Sequence, residues 1–340
     1  MRKISGWALA AVISAVPAAP AWSWGEMGHM TVGKVADIIL QQQDPATSQR
    51  IKKLLKGKSL SEAALWADCA KGPGSCSLHL SNAEKTEQKK YAKDNPDHHD
   101  FHYTDVPFQE NQYRPDTAGT TDHDVVQVIT FAVQMLREPS SEPGPVKHLN
   151  ERKAVWLLAH FVGDIHQPLH VGAVYFDKQC RQIVDPNTTG TPDNGFGIGT
   201  TVGPTTGGND LELSGESENL HHYWDDDTVA AAMRAANKNS VEEFAQFLVD
   251  NPPANWATDG EAETWAAKWA TEILPITKQA LTRVDYAGGK RGQDKQHHLK
   301  CTEQVTRQAG YDEWAAGVVR DQLAKAGFRL AAMLKAALAD

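Results

Sequence analysis

AHFVGDIHQPLHV, residues 159–171, sits where an apolar helix ends and side chains able to bind metal begin. Ala154, Leu157, Leu158, Phe161, Val162 and Ile165 recur at helical spacing, so the stretch closes an amphipathic or buried helix. His160 and Asp164 stand four residues apart, one turn along the same face, as two ligands of one metal ion require. Pro168 disfavours helix at Gln167, so the chain turns there and brings His170 back from a loop. NLHHYWDDD, residues 219–227, repeats the pattern with His221 and Asp225, and Asn219 is placed to cap that helix. Such pairs also occur as plain helical ion pairs, while Asp226 and Asp227 point elsewhere.

Outward from these motifs, helical periodicity continues. Val32, Val35, Ala36 and Ile39 form one apolar face, and Val125, Val126, Ile129, Val133 and Leu136 form another. Ser59 with Glu62 and Ser240 with Glu243 have capping-box spacing, and Ala-rich stretches at 262–283 and 313–338 extend the helical inventory. Strand alternation is scarce, so the expected fold is all-α: one mostly helical domain over 24–340, with long loops near 69–97 and 172–218. The second loop is longer than its motif requires and could shape a cleft as a lid. Its Gly-rich part, Gly190 to Asn209, lacks a GxxxxGK[ST] pattern, so a nucleotide phosphate cradle is unsupported.

Composition limits the functions open to the chain. Its 340 residues carry 34 Lys+Arg against 43 Asp+Glu, a formal charge of -9, which argues against a broad basic surface for duplex nucleic acid. Fourteen histidines raise the prospect of metal ligation. Residues 1–23 begin with Arg2 and Lys3, continue through an apolar run and end in Ala21-Trp22-Ser23, as a secretory signal peptide does. The apolar part is too short to span a membrane. The expected mature protein begins at Trp24, is exported to the periplasm or beyond, and needs neither membrane nor obligate protein partner. Cys69, Cys76, Cys180 and Cys301 then favour two disulfides, with Cys69–Cys76 and Cys180–Cys301 preferred among three connectivities because the first pair closes a short Gly/Pro-containing loop.

Further candidate ligands are Asp68 at the end of AALWAD, His102 in HHDFHYTDVP and His29 in WGEMGH. His98, His99 and Asp100 contain the HD dipeptide of many metal phosphohydrolases, but lie among Asn95, Pro96 and Asp97 rather than in an apolar helix, so His102 is preferred. His79, His123, His148, His297 and His298 fall in polar loops, and His166 could hydrogen-bond within its turn.

Taken in order, WGEMGH, LWAD, FHYTD, HFVGDIHQPLHVG, GGN and NLHHYWD resemble the zinc-dependent single-strand nucleases of the S1 and P1 type and the plant bifunctional nucleases. AGFRLAAMLKAAL near the end is similar to that family's last helix. The resemblance implies a helical domain with three zinc ions in a cleft. It implies that Asp68, His102, His160 and Asp164 hold one zinc, and that His170, His221 and Asp225 hold a second. A third would be held by His29, a bridging Asp164, and the amine and carbonyl of Trp24. An α-amino group, with an ordinary pKa near ~8, can donate its lone pair once a metal competes with the proton.

The resemblance further implies cleavage of single-stranded DNA and RNA to 5'-phosphorylated products, with 3'-mononucleotides as further substrates, by a monomer. Asp68 would orient or deprotonate the attacking water. Lys71 stands where the family commonly has an Arg that contacts the transition state, keeping the charge but not the bidentate fork. Tyr103 would stack on a base, Asp105 would accept from a base edge, and Asn209 would lie near phosphate or base. Two rival readings are a zinc-dependent phospholipase C of the same fold and a non-catalytic zinc-binding protein. The His–Asp rather than His–Glu pair at 221 and 225 disfavours the first, and the carboxylate-rich, Cys-poor ligand set disfavours the second.

Overall fold

A computed structural model describes residues 24–72, 77–139, 144–189, 202–293 and 299–339; the signal-peptide expectation, residues 1–23, lies outside them. Helices α1 (Glu26–Gln43), α2 (Pro45–Leu54), α3 (Leu60–Ala63), α4 (Trp66–Cys69) and α5 (Asn82–Asp94) lead into strand β1 (Val106–Pro107). Then come α6 (Val125–Arg137), α7 (Glu151–Asp164), β2 (Gly172–Ala173), β3 (Tyr175–Asp177), β4 (Ile183–Val184), α8 (Pro186–Thr189), β5 (Val202–Pro204) and β6 (Leu211–Leu213). Helix α9 (Leu220–His222) continues through a π turn, Tyr223–Asp227, into α10 (Thr228–Ala235), followed by α11 (Val241–Asp250) and α12 (Trp265–Thr282). The hairpin β7 (Val284–Gln293) and β8 (Leu299–Arg307) precedes the long α13 (Tyr311–Ala337).

The architecture is mostly helical, and α7 runs through its core. Every residue from Lys153 to Asp164 is buried, which explains an apolar run without a polar stripe. Helix α1 packs against α13, α11, α3 and α7, while α6 packs on α7 and α12. Both halves of the Ser59/Glu62 capping box are present; at Ser240 only the side-chain bond to the Glu243 N–H is made.

Two stretches differ from the expectation of loops. Within 69–97 the chain forms α5, which lacks an apolar stripe and so gave no periodic signal. Its charged helix formers are nucleated by a complete Ser81/Glu84 capping box instead. Within 172–218 five short strands appear, including the sheet β4-β3-β5. Residues 190–201, the middle of the expected lid, lie outside the described residues. A third departure is the β7–β8 hairpin, whose Gly288, Gly289 and Gly292 and exposed charges obscured the alternation; β8 sits between β6 and β7. The Cys180–Cys301 disulfide ties the β3–β4 turn to β8. Cys69 is also disulfide-bonded, and its expected partner Cys76 lies outside the described residues. Among the described residues no helix is long and apolar enough to cross a membrane.

Candidate metal centre

Helix α7 presents His160 and Asp164 one turn apart, and the chain then leaves the helix for a 3-10 turn, Pro168–His170, that returns His170 to the same region. The π turn after α9 supplies Asp225 four residues beyond His221, with the Asn219 side chain accepting from the His222 N–H. Helix α1 brings His29, α4 brings Asp68, and a 3-10 turn, Asp100–His102, brings His102. The donor atoms form three buried groups: Asp68, His102 and His160; His29, His160 and Asp164; and His170, His221 and Asp225. Asp164 links the first two, with Oδ2 3.0 Å from His102 Nδ1 and 3.2 Å from His160 Nε2, and Oδ1 3.2 Å from His29 Nε2.

The donor chemistry fits a cation. His170 Nδ1 donates to His102 O at 2.8 Å and His221 Nδ1 donates to Gly207 O at 2.7 Å, so in the neutral rings both Nε2 atoms carry lone pairs. Those two lone pairs face each other at 3.1 Å, an arrangement that repels unless a Lewis acid lies between them. His160 repeats the logic: Nδ1 donates to Ala64 O, leaving the Nε2 lone pair towards Asp164 Oδ2 at 3.2 Å and Asp68 Oδ1 at 3.7 Å. Asp225 Oδ2 is buried without a hydrogen bond among the described residues, 3.5 Å from His221 Nε2.

Electrostatics keep four of the five imidazoles neutral, whereas Asp164 and Asp68 raise the His160 pKa against the opposing effect of burial. Burial lowers the imidazole pKa of His221 to about 3 and of His29 to about 4, keeping both neutral. Burial also lowers His102 and His170. Against the opposing effect of burial, Lys71 and His160 hold Asp68 below the usual carboxylate range, and His160 and His170 do so for Asp164. Burial pushes Asp225 well above that range. Ionised Asp68 and Asp164 face a His160 ring that favours its proton, and a divalent ion displacing that proton would balance the two carboxylates.

Trp24 is buried beside this cluster, its indole Nε1 donating to Gly163 O at 2.7 Å, while the next residue's amide, Gly25 N, donates to Asp225 O at 2.9 Å. Gly163 makes room for the approach, since a Cβ there would lie 2.9 Å from His29 Nδ1. Gly207, in the left-handed region at φ 56°, is required for the same reason: a Cβ would meet Leu169 O at 2.1 Å.

Lys71 Nζ is 2.7 Å from Asp68 Oδ1. Half-buried Tyr103 donates its hydroxyl to Asp100 Oδ1 at 2.8 Å. Asp105 is buried, and burial raises its carboxyl pKa to about 7 despite the Gly207 backbone N–H. Asn209 Nδ2 donates to Thr206 O at 2.8 Å. Outside the donor groups, His98 is buried with its ring nitrogens 2.9 Å from Asn95 O and 3.2 Å from Ala70 O. His79 and His148 are exposed, His123 is half-buried, and His297 and His298 lie outside the described residues.

Two supporting side chains escaped the sequence reading. Buried Gln167, read only as the residue before proline, donates from Nε2 to Asp225 Oδ1 at 2.9 Å and accepts the Leu169 N–H at 2.6 Å. A polar side chain between two ligands in an otherwise apolar stretch was the available signal. Arg329 of α13 donates to His166 Nε2 at 2.9 Å, to Trp256 O at 2.8 Å and to Glu272 Oε2 at 2.5 Å, tying the last helix to the ligand-bearing turn.

Sequence comparison finds relatives along most of the chain. Endonuclease 4 of Arabidopsis thaliana is 23% identical over 318 residues, covering 92% of this chain and 88% of its own. Endonuclease 2 of the same plant is 25% identical over 322 residues, covering 92% and 89%. Nuclease S1 of Aspergillus oryzae is 24% identical over 327 residues, covering 92% and 91%. A family profile described as S1/P1 Nuclease matches residues 24–339, and with that span matched on a helical scaffold that gathers these His and Asp donors, the chain belongs to the S1/P1 nuclease family, hydrolases of nucleic-acid phosphodiester bonds.

Proposed function

We propose that this chain is an exported, monomeric, zinc-dependent endonuclease that cleaves single-stranded DNA and RNA to 5'-phosphorylated products and also removes phosphate from 3'-mononucleotides. The observation that carries the reading is the pair of facing Nε2 lone pairs on His170 and His221, together with two further donor groups that share His160 and are linked by Asp164. Nitrogen and oxygen donors of this kind suit Zn²⁺. Asp68, His102, His160 and Asp164 would hold one ion, and His170, His221 and Asp225 a second. His29, Asp164 and the amine and carbonyl of a processed Trp24 would hold a third.

Bound zinc would supply Lewis-acid charge to the phosphate and make water a competent nucleophile near neutral pH. Asp68, held ionised by Lys71 and His160, would orient or deprotonate that water. Lys71 offsets charge that grows on the phosphoryl oxygens during attack. Tyr103 offers a ring face to an unpaired base, which a base still paired in a duplex cannot reach, Asp105 would accept from a base edge, and Asn209 would lie near the phosphate or base. His29, Asp164 and the Trp24 terminus would hold the zinc that stabilises the departing 3'-oxygen.

The deciding experiment measures metal content beside product analysis. Processed protein should carry three zinc ions and release 5'-phosphorylated fragments from a single-stranded oligonucleotide far faster than from a duplex. Equal rates on both would remove the base-slot argument, and hydrolysis of phospholipid in place of nucleic acid would replace the reading.

A further inference from the structure

The turn that supplies His221 with its hydrogen-bond acceptor is built from backbone that most residues avoid. Thr206, Gly207 and Gly208 follow one another at φ 46°, 56° and 84°. Glycine takes this left-handed region freely, but Thr206 is β-branched and stays there only if its surroundings hold it. Gly207 O, in the middle of the run, accepts from His221 Nδ1 at 2.7 Å. A Cβ on Gly207 would lie 2.1 Å from Leu169 O, so the run also rests against the backbone beside His170.

Asp210 supplies the hold. It is buried, and its Oδ2 accepts the Thr206 hydroxyl at 3.1 Å. Its own amide donates to Thr205 O at 3.2 Å, closing the turn, and its carbonyl accepts the Glu303 N–H of β8 at 2.9 Å. Lys300, also on β8, pairs with Oδ1. The two carboxylate oxygens therefore have separable roles: Oδ2 fixes Thr206, and Oδ1 forms an ion pair with the neighbouring strand.

We propose that Asp210 is a positioning residue for the group of His170, His221 and Asp225, acting through Thr206 and the Gly207 carbonyl. The inference rests on the metal reading of that group and deepens it. A histidine ligand is oriented by the bond that its other ring nitrogen makes. With Gly207 O in place, the proton stays on His221 Nδ1, and Nε2 keeps its lone pair towards His170 Nε2, 3.1 Å away. Without the Asp210 bond, Thr206 relaxes out of the left-handed region and the carbonyl moves off the ring. The imidazole then loses both its orientation and its preferred tautomer.

The test is chelator competition on the zinc-loaded protein, with a thermal melt of each form so that zinc is counted per folded chain. Asp210→Ala and Thr206→Val each remove the Oδ2 bond. Asp210→Asn keeps an acceptor for Thr206 and Lys300→Gln keeps the carboxylate, while both give up the ion pair. The first two variants should weaken one zinc equivalent by about 10–100-fold, the usual effect of losing an outer partner of a ligand, and the second two should stay close to wild type. In a His221→Ala background, Asp210→Ala should leave the remaining zinc sites unchanged. Wild-type zinc affinity in Asp210→Ala and Thr206→Val, or an equal loss in Asp210→Asn and Lys300→Gln, overturns the positioning role. A loss at the remaining sites in the His221→Ala background assigns Asp210 to general stability and overturns it as well. If His221→Ala removes no zinc from the otherwise wild-type protein, the metal reading of this group itself fails, a result distinct from the others.

Discussion

Lys71 Nζ lies 2.7 Å from Asp68 Oδ1, three residues along the chain, so a cation and the carboxylate assigned to the attacking water are already in contact. Lys71 is a point charge where an Arg would offer a fork, and its value to catalysis lies in charge that develops only during attack. Lys71→Ala should lower kcat about 10²–10³-fold with little change in KM, and Lys71→Arg should retain most of the rate. Steady-state kinetics on a dinucleotide decide it, and an effect confined to KM would contradict the assignment.

Gln167 holds Asp225 Oδ1 at 2.9 Å and leaves Oδ2 towards His221, so it acts on a metal through another residue. Removing such a positioning contact commonly costs 10–100-fold in metal affinity. Gln167→Met should therefore weaken one zinc equivalent by about that factor in chelator competition, leaving the others in place. In an Asp225→Ala background the same substitution should cost nothing further; additive losses would show that Gln167 acts only on the turn.

The donor set was legible in the sequence because helical spacing converts directly into geometry. His160 with Asp164, and His221 with Asp225, stand four apart, and each pair ends in one buried group. Helix α5 and the β7–β8 hairpin were hidden for the opposite reason. In α5 a capping box and charged helix formers replace an apolar stripe, and in the hairpin glycines and cations interrupt alternation. The side chain of Gln167 was out of reach because its importance depends on Asp225, far away in the sequence.

Asp105 links stability to pH. Its carboxyl pKa is raised from 3.8 to about 7 by burial, so the folded state favours the protonated form. The protein is unaffected by this group below its unfolded pKa, loses stability as pH rises towards 7, and carries the full cost above it, up to about 4 kcal/mol. Asp105→Asn should raise Tm over wild type at pH 8, with the difference vanishing near pH 4. Parallel thermal melts across that range test the sign, and a constant difference would mean that the carboxyl is already ionised without penalty.

Chelation should destabilise as well as inactivate. Asp68 and Asp164 remain ionised beside each other and near Asp225 once no cation balances them, and the Nε2 lone pairs of His170 and His221 repel. Tm should fall by several degrees or more in excess chelator and return on adding Zn²⁺. An unchanged Tm with full loss of activity would indicate that metal binds only weakly to the folded protein.

The remaining prediction concerns Trp24. Its indole is anchored on Gly163 O at 2.7 Å and the following amide on Asp225 O at 2.9 Å, so the start of the expected mature chain is fixed between two of the donor groups. If the Trp24 amine is a ligand, one extra residue before it converts that amine into an amide, whose nitrogen lone pair is delocalised and cannot bind metal. The indole anchor is untouched by such an extension, so folding should survive while one zinc and most of the activity are lost. Circular dichroism, metal content and cleavage rate of the two forms test this together. Full zinc content and full activity in the extended protein would assign that third site to His29 and Asp164 without the chain terminus.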